Sequence, residues 1–290
     1  MATINFFRDV ELPQQKSQDA GVLFPAVLSP NHITDSTVIA LCDFEEAIKA
    51  HKPWLESLLQ KSCAILFRGF PVASPSDFND VVEAFCYPEL LYVGGRAART
   101  KVIGRVYTAN ESPPENGIPI HHEMAYLFFF CDDEVEPGAG GETPIVLSHI
   151  IYEKMKERHP EFVAQLEEHG VTYTYIANDE DDSSTFSGRG WKSAFKTDDK
   201  NVAEERCVSS LFTLNPIIHV REKFNASVEV GNGDPVPDHV VEECFKIAED
   251  ECVVIPWKKG DVLLINNLMV LHGRRPLLKL PRRILASLCK

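Results

Sequence analysis

His121, His122 and Glu123 stand consecutively in the segment IPIHHEMAYLFFF (118–130). In an extended chain, residues i and i+2 share a face, so His121 and Glu123 point one way and His122 the other. One imidazole and one carboxylate on the same face can grip a single metal ion. The helical zinc pattern H-E-x-x-H is absent, because Tyr126 occupies the place of its second histidine. A third ligand must come from another strand. His272 is the candidate, at the end of the apolar run VLLINNLMVL (262–271) and before Gly273.

Two histidines and one carboxylate cover one face of an octahedral ion and leave three adjacent positions open, as Fe(II)-dependent oxygen chemistry requires. Such an iron needs two further electrons, which a 2-oxo acid supplies by chelating the metal and being decarboxylated. The far carboxylate of that acid needs a fixed cation in a dry pocket. Arginine suits it, because its planar fork matches a carboxylate bidentately. Arg283 lies eleven residues after His272, in LPRRILASLCK (280–290). A strand there could run back beside the His272 strand. Arg282 and Arg283 alternate faces, so only one of them can point inward. Thr143, in GGETP (140–144), is placed to offer a hydroxyl to the same carboxylate.

The elements that position these residues follow from periodicity and caps. Residues 43–61 read as a helix interrupted near Pro53, and 63–70 as a short buried strand. Residues 74–85 form a helix with Ser74 as cap and Pro75 at its first position. Residues 101–110 alternate like a strand, 111–120 are a Pro-rich loop, and 121–130 are an aromatic strand. A turn at 137–141 leads into another strand, ETPIVLS (142–148). Ser148 is expected to cap one long helix closed by Gly170. Residues 177–200 read as a loop and 239–251 as a helix begun by Asp238. Strands end the chain. Residues 1–35 are expected to lie over the surface as an arm. No βαβ alternation occurs, so a doubly wound sheet is excluded. An α+β fold around an antiparallel sandwich or jelly roll fits, with 1–290 as one domain.

Composition narrows the function further. The 290 residues carry 43 acidic and 29 basic side chains, a net charge of −14, which repels phosphate backbones and anionic lipid. No nucleic-acid or membrane partner is expected, only a small-molecule substrate and O2. The eight cysteines show no C-x-x-C spacing and read as buried, reduced thiols. No apolar run approaches a membrane span and the N-terminal segment has no apolar leader core, so a cytoplasmic protein is expected. The acidic run 179–182 lacks the alternation of a calcium loop, and GAGGET lacks the third glycine of a dinucleotide fingerprint.

Five segments carry a resemblance: FRGFP (67–71), HHEMA (121–125), GGETP (140–144), GDVLLINNLMVLHGRRP (260–276) and PRRILASL (281–288). They occur in the order of the taurine dioxygenase and clavaminate synthase-like superfamily of Fe(II)/2-oxoglutarate oxygenases, and the chain resembles its plant-type clavaminate synthase-like members most. The resemblance implies a double-stranded β-helix (jelly-roll) core with flanking helices. It implies Fe(II) on His121, Glu123 and His272, and 2-oxoglutarate on Thr143 and Arg283. It implies a dioxygenase that hydroxylates a small molecule while 2-oxoglutarate becomes succinate and CO2. The chain departs from the family in short segments after Tyr126 and between Phe212 and Pro237, and in Asn266 where the family has Asp. Those short segments keep open an alternative: a protein that binds iron and 2-oxoglutarate without turnover.

Overall fold

The apolar runs pair into two facing sheets in the computed structural model, which describes residues 6–18, 21–31, 39–90, 93, 99–109, 111, 113–122, 126–133, 138–175, 179–181, 189–210, 226–279 and 282–290. The strands are β1 (Phe7–Asp9), β2 (Lys16–Ser17), β3 (Leu23–Phe24), β4 (Ala26–Pro30), β5 (Ala64–Phe67), β6 (Lys101–Ile103), β7 (Val106–Thr108), β8 (Ile118–His121), β9 (Tyr126–Cys131), β10 (Thr143–Leu147), β11 (Val171–Tyr175), β12 (Ala226–Val230), β13 (Val253–Ile255), β14 (Val262–Asn266), β15 (Val270–Arg274) and β16 (Ile284–Cys289). The helices are α1 (Leu41–Ser62), α2 (Pro75–Ala84), α3 (Ser148–Arg158), α4 (Pro160–His169), α5 (Trp191–Phe195), α6 (Lys200–Ser210) and α7 (Asp238–Glu251).

The larger sheet runs β1-β4-β5-β14-β9-β16-β7-β6 and the smaller one β13-β10-β15-β8. All pairings in both are antiparallel except β4 with β5. Alternation along each strand divides its residues between layers. On β9 and β16, Leu127, Phe129, Ile284, Ala286 and Leu288 face the smaller sheet and meet Ile145, Leu147, Val253, Ile255 and Val270. On the same strands Phe128, Phe130, Leu285 and Cys289 face α1 and α2. Behind the smaller sheet, Val146 and Leu271 pack against α3, α4 and α7. The result is an α+β jelly-roll sandwich with helices on both outer faces, as expected from the sequence.

Both core layers are dry. Phe67, Phe128, Phe130 and Ile145 have no exposed surface, and each such side chain contributes roughly 1.5–3 kcal/mol relative to exposure. The Ser74 hydroxyl accepts a hydrogen bond from the Asp77 amide at 3.2 Å, and Asp77 in turn accepts from the Ser74 amide at 3.0 Å, so α2 starts where its cap dictates.

Several local expectations are corrected. Residues 1–35 are not a surface arm throughout: β1 and β4 extend the larger sheet, and Leu28 is fully buried. Helix α1 runs through Pro53 without a break. The strand expected over 101–110 folds back at Gly104 into the β6–β7 hairpin. The long helix after Ser148 divides at His159, where Pro160 starts α4. Ser148 does not cap α3; its hydroxyl donates to the Met269 carbonyl. The expected loop 177–200 contains α5. The thiols of Cys42 and Cys86 are exposed rather than buried. No helix among the described residues is long and apolar enough to cross a membrane.

Candidate active site

The aromatic strand expected over 121–130 is two strands in different sheets. His121 ends β8 in the smaller sheet, and Phe128–Phe130 belong to β9 in the larger one. Glu123 lies outside the described residues. His121 pairs directly with His272 across β8 and β15. Their neighbours Ile120 and Leu271 pack into the outer helical layer, so both imidazoles point into the sandwich. The two rings stand 4.5 Å apart between centroids, and the edge of Phe129 meets His272 at 5.2 Å from the opposite sheet. Gly273 allows this closeness: a Cβ there would lie 2.6 Å from the Ile118 carbonyl oxygen.

Hydrogen bonds fix the tautomer of each ring. Nδ1 of His121 lies 2.8 Å from the Pro119 carbonyl, and Nδ1 of His272 lies 3.2 Å from Asn267 Oδ1. Both oxygens only accept, so both Nδ1 atoms carry hydrogen, and in the neutral ring Nε2 is then left with the lone pair. Burial holds His272 well below the usual imidazole range, with the charges of His121, Arg99 and His122 pushing the same way. Burial thus favours the neutral ring of His272. Imidazoles with Nδ1–H anchored on oxygen, leaving Nε2 to coordinate, are the form in which histidines bind a divalent metal. The residues present thus fit an iron site. Among the described residues no third His, Cys, Asp or Glu joins them.

His122 points away, as expected. Its Nδ1 donates to the Asn267 carbonyl at 2.5 Å. Burial lowers its pKa, against hydrogen bonds to the carbonyls of Asn267 and Val270 that favour the cation. Asn267 is completely buried and serves both histidines, one by its side chain and one by its main chain. The sequence reading passed over it, although its place opening the turn before the His272 strand was a usable signal.

Thr143 lies where the sequence placed it, 4 % exposed at the start of β10. Its partner on β13 is Ile255. Two residues further along β10, on the same face, Ile145 pairs with His272. Thr143 therefore sits one strand across and two residues along from His272, about 8 Å in strand geometry.

The arginine beside Thr143 is Arg282, not the Arg283 expected there from the sequence. β16 does not run beside β15; it lies in the opposite sheet between β9 and β7. Inward positions on β16 are Ile284, Ala286 and Leu288, so Arg282 shares their parity and Arg283 does not. Arg283 is 46 % exposed and pairs with Asp132 at 2.9 Å. Arg282 reaches across the sandwich, with Nη2 3.4 Å from Thr143 Oγ1. Its Nε is buried without a hydrogen-bond partner, and it has no ion-pair partner among the described residues. Burial pushes its pKa down to about 10, and the like charge of Arg274 adds to the shift. Gly141, at φ 69°, makes room for it: a Cβ there would lie 2.5 Å from Arg282 Cδ.

The jelly-roll sandwich thus carries two facing histidines and an arginine–threonine pair on its inner faces, donor types that suit an oxygenase. Comparison with known proteins agrees. The family profile of the taurine catabolism dioxygenase TauD, TfdA family matches residues 28–288, and the chain belongs to that family. Fe(II) and 2-oxoglutarate, expected from the sequence, are that family's cofactors. A clavaminate synthase-like protein of Arabidopsis thaliana is 48 % identical, with 97 % of this chain and 98 % of that protein aligned. That alignment spans 327 positions, more than this chain has residues, so the relative carries segments that this chain lacks. The dapdiamide synthesis protein DdaC of Enterobacter agglomerans is 26 % identical over 78 % of this chain and 82 % of its own. Among solved structures, PvcB of Pseudomonas aeruginosa superposes with a TM-score of 0.52 at 16 % identity, covering 98 % of this chain and 91 % of that one. A taurine dioxygenase of Burkholderia xenovorans gives 0.53 at 13 % identity, covering 98 % and 89 %. These two establish likeness of fold.

Proposed function

We propose that the protein is an Fe(II)- and 2-oxoglutarate-dependent dioxygenase that oxidises a small molecule, most simply by hydroxylation. The observation that carries this reading is the placement of Thr143 one strand and two residues from His272 on the same inner face, with Arg282 reaching Thr143 from the opposite sheet. A half-buried guanidinium whose Nε is fully covered, with no ion-pair partner among the described residues, calls for an anion. A five-carbon 2-oxo diacid spans from that anion site to the metal position. PvcB, which shares the fold, is an Fe, α-ketoglutarate-dependent oxygenase.

In this reading His121 and His272 hold the metal through Nε2, with Glu123 as the carboxylate ligand. Arg282, in place of Arg283, and Thr143 bind the far carboxylate of 2-oxoglutarate. Held by these residues, Fe(II) with 2-oxoglutarate would supply the O2-activating chemistry that couples decarboxylation of the co-substrate to oxidation of the substrate. The chain's own part is geometric. The Pro119 carbonyl and Asn267 orient the imidazoles, Arg282 fixes the co-substrate's reach, and Phe129 and the inter-sheet core keep water from the metal position.

The test is an anaerobic titration of the metal-free protein with Fe(II) and then 2-oxoglutarate, followed by the visible charge-transfer band of the chelate. The band is expected in the native chain and absent in His272→Ala. Iron binding without a band defeats the 2-oxo acid assignment.

A further inference from the structure

Trp257 follows β13 and is 6 % exposed. Its indole Nε1 lies 2.9 Å from Thr143 Oγ1, a well-formed buried hydrogen bond. The sequence reading passed over this residue. It stands two positions beyond Ile255, the strand partner of Thr143, and so on the same face.

The chemistry of the two neighbours of the Thr143 hydroxyl decides its polarity. An indole N–H can only donate, and a guanidinium can only donate. Oγ1 therefore accepts from Trp257 and faces the N–H groups of Arg282, and its own hydrogen points at neither. Among the described residues no acceptor takes that hydrogen at this buried position. A hydroxyl so arranged is a committed donor aimed at an anion.

The indole is itself held. Arg68 grips Asp261 through Nε at 3.0 Å and Nη2 at 2.5 Å, and Nη2 also donates to the Pro256 carbonyl at 2.6 Å. Asp261 accepts from the Lys258 amide at 2.8 Å. The residues on both sides of Trp257 are thus clamped to β5.

We propose that Trp257 is a positioning residue that locks the Thr143 hydroxyl as a hydrogen-bond donor to the far carboxylate of a 2-oxo diacid, and so selects diacids over 2-oxo monoacids. This rests on the reading of Arg282 and Thr143 as the co-substrate site. The locked donor strengthens an acceptor-only partner and offers nothing to a methyl group at the same place.

The experiment measures dissociation constants of 2-oxoglutarate and of pyruvate, which lacks the far carboxylate, for the anaerobic Fe(II)-loaded chain by the charge-transfer band. Trp257→Phe keeps the ring and removes the donor. It is expected to weaken 2-oxoglutarate about fivefold to tenfold and leave pyruvate within about twofold. Thr143→Val is expected to weaken 2-oxoglutarate by at least as much, and the double variant by no more than Thr143→Val alone, because Trp257 acts through that hydroxyl. Unchanged 2-oxoglutarate affinity in Trp257→Phe, with loss in Thr143→Val, overturns the proposal. Equal losses for both acids make the indole merely structural and overturn it too. If neither Thr143→Val nor Arg282→Gln weakens 2-oxoglutarate, the co-substrate site itself is misassigned and the inference falls with it. The unmodified Zn(II)-loaded chain gives an independent reading. Of its three indole N–H resonances, one should shift with 2-oxoglutarate and not with pyruvate, and a spectrum in which none does so refutes the lock.

Discussion

Arg282 and Thr143 approach to 3.4 Å from opposite sheets of the sandwich, while Arg283 turns outward to Asp132. The two adjacent arginines are therefore expected to differ sharply on substitution. Arg282→Gln removes a charge-assisted contact to the co-substrate, and such contacts contribute about 1.5–3 kcal/mol, or roughly tenfold to a hundredfold in 2-oxoglutarate affinity. Arg283→Gln loses only an exposed ion pair and should stay within about twofold. Titration of the charge-transfer band with each variant checks the contrast, and a large effect at Arg283 would reverse the assignment.

Gly141 gives a second route to the same group. It sits at φ 69° with the space of a Cβ occupied by Arg282 Cδ and Nε. Gly141→Ala adds backbone strain of about 1 kcal/mol or more and displaces the guanidinium. The expected outcome is a weaker 2-oxoglutarate complex with Fe(II) affinity unchanged. Calorimetric titration with each ligand separates the two, and equal loss of both would point to general disruption.

The facing of His121 and His272 and the inward turn of Thr143 were legible because extended-chain parity is unambiguous next to polar residues. The arginine was not, for a physical reason. All six residues of β16 are buried, since one face meets the inter-sheet core and the other the helices α1 and α2. Without a polar face, alternation cannot say which of Arg282 and Arg283 points inward. The β1–β4 extension was missed for a similar reason: these strands are short and Pro-punctuated, and their pairing is decided by the distant strand β5. Trp257 and Asn267 acquire their roles only through partners 114 and 5 residues away, and nothing in their local spacing announces a hydrogen bond.

Asn267 should control metal binding without touching the metal. Its Oδ1 fixes the Nδ1–H tautomer of His272. Asn267→Leu leaves that N–H unpartnered in a buried setting and frees the ring to turn. Loss of such an outer partner typically lowers metal affinity 10–100-fold. Asn267→Asp keeps an acceptor and should restore most of the affinity. Competition titrations with a chelator against Co(II) or Fe(II) report this independently of turnover, and an unaltered affinity in Asn267→Leu would remove the orienting role.

Turnover separates an enzyme from a silent binder. The Arabidopsis relative carries segments that this chain lacks, and loops near such sites control closure and water exclusion. An active dioxygenase should release succinate from 2-oxoglutarate and O2, slowly without substrate and faster with one. Succinate measured by chromatography, with His121→Ala as the blank, decides the matter. A native chain that shows the charge-transfer band yet makes no more succinate than the blank is a binder.

The clamp that holds the Trp257 turn should matter for stability as well as for the site. Arg68 and Asp261 form a bidentate pair with side chains 11 % and 1 % exposed, joining β5 to the turn before β14. Removing one partner of such a pair leaves an uncompensated charge in the core and typically costs 3–5 kcal/mol. Asp261→Asn keeps the shape and removes the charge, so it should lower the urea midpoint substantially with an unchanged slope. Arg68→Met with Asp261→Leu replaces the pair with apolar groups and should recover much of the loss, because neither charge remains buried alone. If the single variant unfolds at the native midpoint, the pair is not what anchors the turn. If instead the double variant regains stability while 2-oxoglutarate affinity stays low, the ion pair is needed for the orientation of Trp257 rather than for the fold.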